Sequence, residues 1–279
     1  MNRFVEIFSE HHLLELFGIE ELIILIAIAI LYSKQAAKLK HTQDLPFKRN
    51  LFFTGLFLYY LACGSPLHIM SEHLFSIKMV KASLAYFIVP PFLLAGLPAE
   101  MLRPILWNYR IKKIMKVLTN PVFSTTFFYG LFFVYLNPSI FLFLNSSWVL
   151  DAVSHLILFF FSIFMWWPVM TPLRELNPLS DMYRLVNLLI NGCILFGIAY
   201  PLFLWDQPYA PFQNFNFPDI YTAKNDVIIG AATIMFVQKF LIVAIGGVIL
   251  FKRFKKEDVI DPVNVSALMG VKGTNGQNS

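Results

Sequence analysis

Residues 65–91, SPLHIMSEHLFSIKMVKASLAYFIVPP, combine two histidines, a glutamate, two lysines and two methionines with a long apolar run. His68 and His73 are imidazoles, the commonest transition-metal ligands, and Met70 and Met79 are thioethers suited to Cu(I). His155 lies in a later apolar segment and shares a helix face with Asp151 at i, i+4 spacing. A metal centre drawn from His68, Met70, His73, Met79 and His155 is the chemistry these types suggest. The plain reading of the same histidines is an ordinary outer surface.

Charge in apolar surroundings is the second signal. Lys78 and Lys81 stand three apart, on one helix face, one to two turns into an apolar run. A lysine there costs up to about 2.5–3.5 kcal/mol at mid-bilayer, so a partner is expected among Glu72, Glu20, Glu21 and Asp151. Snorkelling of both ammonium groups to the interface is the alternative. Lys239, beside Gln238 in the middle of the last apolar segment, is too deep to snorkel and must face protein or water.

The elements that carry these residues follow from composition. The chain is 57% hydrophobic and 16% aromatic, and only 14% charged, well below the quarter or so usual for soluble domains. Mean hydropathy is +0.64. Apolar windows of about 20 residues fall near 17–33, 50–64, 74–97, 121–144, 149–170, 183–205 and 227–251. The expected fold is therefore all-α: a polytopic bundle of seven transmembrane helices over 1–251, then a basic cytoplasmic tail over 252–279 that is polar and aperiodic. The fourth window, interrupted by Asn137 and Pro138, and the short second one are the weakest.

Basic residues set the expected orientation. Lys34, Lys38, Lys40, Lys48 and Arg49 lie in the first loop, and Arg103, Arg110, Lys112, Lys113 and Lys116 in the third. Arg174 and Arg184 follow in the fifth, and Lys252, Arg253, Lys255 and Lys256 in the tail. Basic loops stay cytoplasmic, which puts the N-terminus outside and the C-terminus in the cytoplasm. The net charge of +5 is thus a topology signal and does not imply nucleic acid. Five glutamates, Glu6, Glu10, Glu15, Glu20 and Glu21, occupy the N-terminal stretch where a cleavable signal would need basic residues. The segment 99–117 suits either a helix lying along the inner headgroups or a plain inside loop. Cys63 and Cys193 have no CxxC spacing and read as free thiols. No GxSxG, Walker or HExxH motif occurs, so no enzyme is expected.

Pro90, Pro91, Pro138, Pro168 and Pro201 interrupt apolar segments, and each frees a carbonyl that a neighbour or water must satisfy. Such kinks suit a polar cavity for a small ion or a groove for a partner. Seven helices with Lys239 in the last also resemble a microbial rhodopsin, which implies a retinal Schiff base there. The resemblance needs an aspartate one turn earlier and acidic residues on the third helix, and the chain offers Met235, Lys78 and Lys81.

Four motifs together carry a stronger resemblance: GSPLHIMSEHLFS, YFIVPPFLLAGLP, SHLILFFFSIFMWWPVM and LWDQPYAPF. In this order they are similar to the CtaG family of bacterial cytochrome c oxidase assembly proteins, seven-helix proteins associated with maturing the caa-type oxidase and its copper centre. The resemblance implies an assembly factor of the bacterial cytoplasmic membrane that presents an outward-facing polar cavity to an oxidase subunit or copper chaperone, with copper as the implied cofactor. Its alternative is a metal-free paralogue acting as a scaffold or chaperone. Family members typically read FSxHM, with His or Met a turn later, where this chain has FSIKMVKA. Lys78 and Ala82 thus stand at those positions, Leu136 replaces a histidine before Pro138, and His155 keeps a common family histidine. A protonated lysine is no ligand, and its charge repels Cu(I).

Overall fold

The computed structural model describes residues 17–39, 44–173, 175–176, 179–205, 209 and 222–258. His11, His12, His41, Arg174, the DQP motif at 206–208 and the tail beyond 258 lie outside the described residues. Among those described, all regular structure is helical. In chain order the α-helices are α1 (Ile19–Ala36), α2 (Leu45–Cys63), α3 (Pro66–His73), α4 (Phe75–Ser83), α5 (Val89–Gly96), α6 (Ala99–Leu102), α7 (Tyr109–Leu118), α8 (Pro121–Tyr135), α9 (Pro138–Leu144), α10 (Trp148–Met170), α11 (Asp181–Phe203) and α12 (Ala223–Asp258). A π-helical turn, Leu84–Ile88, joins α4 to α5, and a 3-10 turn, Arg103–Trp107, follows α6.

Cap-then-proline pairs set several starts. Ser65 Oγ accepts from the Leu67 N–H at 3.2 Å, with Pro66 in the first turn. Asn120 Oδ1 accepts from Val122 and Phe123 at 3.0 and 3.2 Å before Pro121, and Asn137 does the same for Ser139 at 3.2 Å before Pro138. A proline in the first turn loses no hydrogen bond, because that N–H has no partner in the helix anyway. For this reason the expected fourth segment, 121–144, is two helices: α8 ends at Tyr135 and Asn137 starts α9 afresh.

Among the described residues, four helices are long and apolar enough to cross a membrane: Phe75–Gly96, Trp148–Met170, Asp181–Leu204 and Ala223–Lys255. The number rises to six if α2 with α3, bent by 42°, and α7 with α8, bent by 65°, each form one span. The first expected segment, α1, packs through Leu25, Tyr32 and Ala36 but carries Glu20, Glu21 and Lys34 within its 18 residues. The last helix runs on to Asp258, beyond the expected boundary at 251.

Phe75–Gly96 is the central span: 67% of its apolar window is buried, against 22% for those of α10 and α12. It packs α4 on α12 and α5 on α2, while α8 lies on α10 and α11 on α12. Aromatic rings fill the interior, with Tyr86 edge-on to both Phe128 and Phe132 at 6.3 Å. Tyr209 is buried against Phe75 and Phe141, and burial raises its phenol above the ordinary range. At Gly96 an added Cβ would lie 2.5 Å from the Phe52 nitrogen, so only glycine lets α5 approach α2 this closely.

Candidate functional site

Both lysines of α4 turn inward, so snorkelling does not occur: Lys78 is 1% and Lys81 3% exposed. Lys78 Nζ donates to Asp151 Oδ1 at 2.9 Å and to Asn145 Oδ1, and it lies 5.3 Å from the Phe141 ring centroid. Asn145 Nδ2 donates to the Phe141 carbonyl at 2.7 Å, which aims its oxygen at the ammonium. Breaking such a buried pair from one side costs about 3–5 kcal/mol, because the surviving charge is left unpaired.

Asp151 also faces His155 Nε2 at 3.5 Å, one turn along α10. That contact falls outside hydrogen-bond geometry. The other ring nitrogen, Nδ1, is bonded to the Tyr86 hydroxyl. Lys81 Nζ lies 2.8 Å from His68 Nδ1. An ammonium group has only donors, so Nδ1 accepts and the proton of His68 sits on Nε2. That nitrogen faces Glu72 at 3.9 Å, with the two side chains 33% and 55% exposed. The cluster therefore runs from an exposed rim, Glu72 and His68, to a largely buried floor of Lys78, Asn145 and Asp151.

Two features outside the cluster hold α4 in place. Pro90 has no N–H to offer the Tyr86 carbonyl four residues back, and the Trp166 indole fills the vacancy at 3.1 Å. At the other end of α4, Asp226 of α12 is 2% exposed and accepts from the Phe75 and Ser76 N–H groups at 2.7 and 3.0 Å. Its negative charge meets the positive end of the helix dipole. Asn145, Tyr86 and Asp226 went unremarked in the sequence, although Asn145 is a polar residue closing an apolar run.

The remaining candidates lie elsewhere. Met79 is fully buried, and its Cγ would lie 3.1 Å from a Cβ added at Gly230 of α12. His73 Nδ1 is bonded to the Ile69 carbonyl of its own helix at 3.0 Å, and Met70 is half-buried on α3. Asp151 is the carboxylate paired with Lys78, a role for which Glu20 and Glu21 were also candidates. Lys239 sits exposed on α12 and donates back to the Gly192 carbonyl at 2.8 Å. Its neighbour Gln238 turns inward to the Tyr129 hydroxyl at 2.8 Å and the Asn191 carbonyl at 2.9 Å. Among the described residues no carboxylate pairs with Lys239, which leaves a retinal Schiff base there without a counterion. Cys63 and Cys193 are free thiols. A cavity of about 190 Å³ lined by Ser33, Ala36, Ala37, Leu45, Pro46 and Arg49 lies at the far end of α2 from the cluster and does not serve it.

The profile of a family described as cytochrome c oxidase caa3 assembly factor (Caa3_CtaG) matches residues 30–256. The chain belongs to this family. No curated protein and no solved structure matches the chain.

The CtaG resemblance implies copper, and the donors of this CtaG-family chain do not fit it. Among the described residues no three of His, Cys, Asp and Glu are disposed to hold a metal ion. Lys81 uses the Nδ1 lone pair of His68, and Tyr86 engages Nδ1 of His155. A Cu(I) ion about 4 Å from the Lys78 ammonium would be opposed by about 4 kcal/mol at an effective dielectric constant of about 20.

Proposed function

We propose that this CtaG-family protein assists assembly of a caa3-type cytochrome c oxidase as a non-catalytic partner in the bacterial cytoplasmic membrane. In this reading the chain spans the membrane seven times, with its N-terminus outside, and docks an oxidase subunit or copper chaperone on the exposed rim of the cluster. The observation that carries the reading is the half-open cluster at the head of the central span, where Glu72 and His68 reach solvent above a buried ion pair. Copper then belongs to the partner, and this chain contributes shape and charge.

Two steps test the proposal in the source strain. Deleting the gene should lower the amount of assembled caa3 oxidase in membranes, and wild-type copies should restore it. Copies carrying E72A with H68A should be made at normal levels yet restore it poorly. Unchanged oxidase in the deletion strain would sink the proposal.

A further inference from the structure

The ten residues of α7, YRIKKIMKVL, divide by face in a way the buried cluster does not explain. Ile111, Ile114, Met115 and Leu118 fall at i, i+3, i+4 and i+7 and make one apolar stripe, with Lys112, Lys113 and Lys116 on the opposite side. Met115 and Leu118 are half-buried, and Met115 packs against the interior together with Leu106. Ile114, by contrast, is 58% exposed, and Trp107 just before the helix is 85% exposed. The helix packs chiefly on the 3-10 turn before it and on α8 after it, so protein covers only half of the stripe.

The bend sets α7 along the membrane surface. α7 departs from the axis of α8 by 65°, and α8 packs along α10, a helix long enough to cross. The hinge belongs to the packed body: Thr119 is fully buried, and its hydroxyl donates to the Met115 carbonyl at 2.7 Å. With a span tilted by about 20°, the usual value, a helix at that angle runs nearer the plane of the leaflet than its normal. Charge then selects the occupant. Arg110, Lys112, Lys113 and Lys116 are all exposed, and no Asp or Glu occurs between Glu100 and Asp151 to offset them. We infer that α7 is an interfacial anchor that binds the phosphate headgroups of anionic phospholipid in the leaflet where α8 begins, with Ile111, Ile114 and Trp107 seated at the edge of the acyl layer. A protein partner would have to bring both an acidic face and an apolar surface. The leaflet has both, and it already borders α8.

The anchor involves this chain and the bilayer alone, so its test needs no oxidase and its failure leaves the assembly proposal standing. Full-length protein with Cys63 and Cys193 replaced carries a nitroxide at I114C and is placed in nanodiscs of phosphatidylcholine, with or without phosphatidylglycerol. Collisions of the label with oxygen, which concentrates among acyl chains, are compared with collisions with a water-soluble nickel chelate. Each cation near an anionic surface changes the balance of seated to free helix about fivefold. The oxygen-to-nickel ratio therefore rises when phosphatidylglycerol is added and falls back in high salt. Combining K112Q, K113Q and K116Q, all at exposed positions, removes the rise while the protein keeps its unfolding temperature. A label that meets the chelate equally in both lipids overturns the assignment. So does a ratio as high without phosphatidylglycerol, or in the glutamine variant, because the contact is then apolar only. A label shielded from oxygen and chelate alike also overturns it, since a second copy or another protein then covers the helix.

Discussion

Two charged residues, Lys78 and Asp151, hold the floor of the cluster together, and their energetics follow from burial. D151A should lower stability by about 3–5 kcal/mol, because Lys78 keeps its charge among apolar neighbours with only Asn145 to receive it. K78M with D151L removes both charges and should unfold closer to wild type than D151A does. Tryptophan-monitored thermal unfolding in detergent compares the variants, and a double variant less stable than D151A would refute the argument. The inward turn of the lysines was only half legible in the sequence. Spacing put Lys78 and Lys81 on one face, and i, i+4 spacing paired Asp151 with His155. The choice of Asp151 over Glu72, Glu20 and Glu21 depended on where α10 lies against α4, which a single chain read in one dimension does not contain. Asn145 showed locally only as a polar residue closing an apolar run, and nothing in the one-dimensional chain tied it to Lys78.

Helix boundaries were easier to anticipate where the cause is local. Asn-Pro at 137–138 combines an N-cap with a first-turn proline, and the break in the fourth apolar window follows from those two residues. The π-helical turn at Leu84–Ile88 had no such signature, although the need to satisfy a carbonyl freed by Pro90 was readable. Which group would satisfy it was not, because Trp166 is 80 residues away. W166F should therefore cost about 1–3 kcal/mol by leaving the Tyr86 carbonyl buried and unpaired, measurable by the same unfolding assay. D226A removes the cap of α4 and should cost about 0.5–2 kcal/mol, with D226N intermediate. G96A forces a Cβ against the Phe52 backbone and should cost about 1–3 kcal/mol, whereas alanine at Gly130, which has nothing within 4 Å, should be tolerated.

At the scale of the molecule, hydropathy gave the right class and an approximate set of spans. Among the described residues, four to six helices are long and apolar enough to cross, and the difference from seven lies in α1, with its charged ends, and in the bent pairs. A window average treats α7 and α8 alike, yet a 65° bend turns the basic α7 away from the axis of α8. The seven-span reading predicts opposite sides for two exposed positions. With Cys63 and Cys193 replaced, S146C should react with an impermeant maleimide in intact cells, and K113C should react only after the membrane is opened. Labelling of both from outside would refute that topology.

Tyr86 joins the proline-kinked backbone of the central span to the ion-pair cluster. Its carbonyl is held by Trp166 because of Pro90, and its hydroxyl is bonded to His155. Pro90 thus acts on the cluster through a single intermediary residue: turning the backbone at Tyr86 moves the phenol, and with it the imidazole bonded to it beside Asp151. In P90A the new N–H competes with the indole for one carbonyl. Pro91 still leaves the Phe87 carbonyl without its helical donor, and the hold on the Tyr86 carbonyl passes from a tryptophan on α10 alone to that indole and the backbone of α5 together.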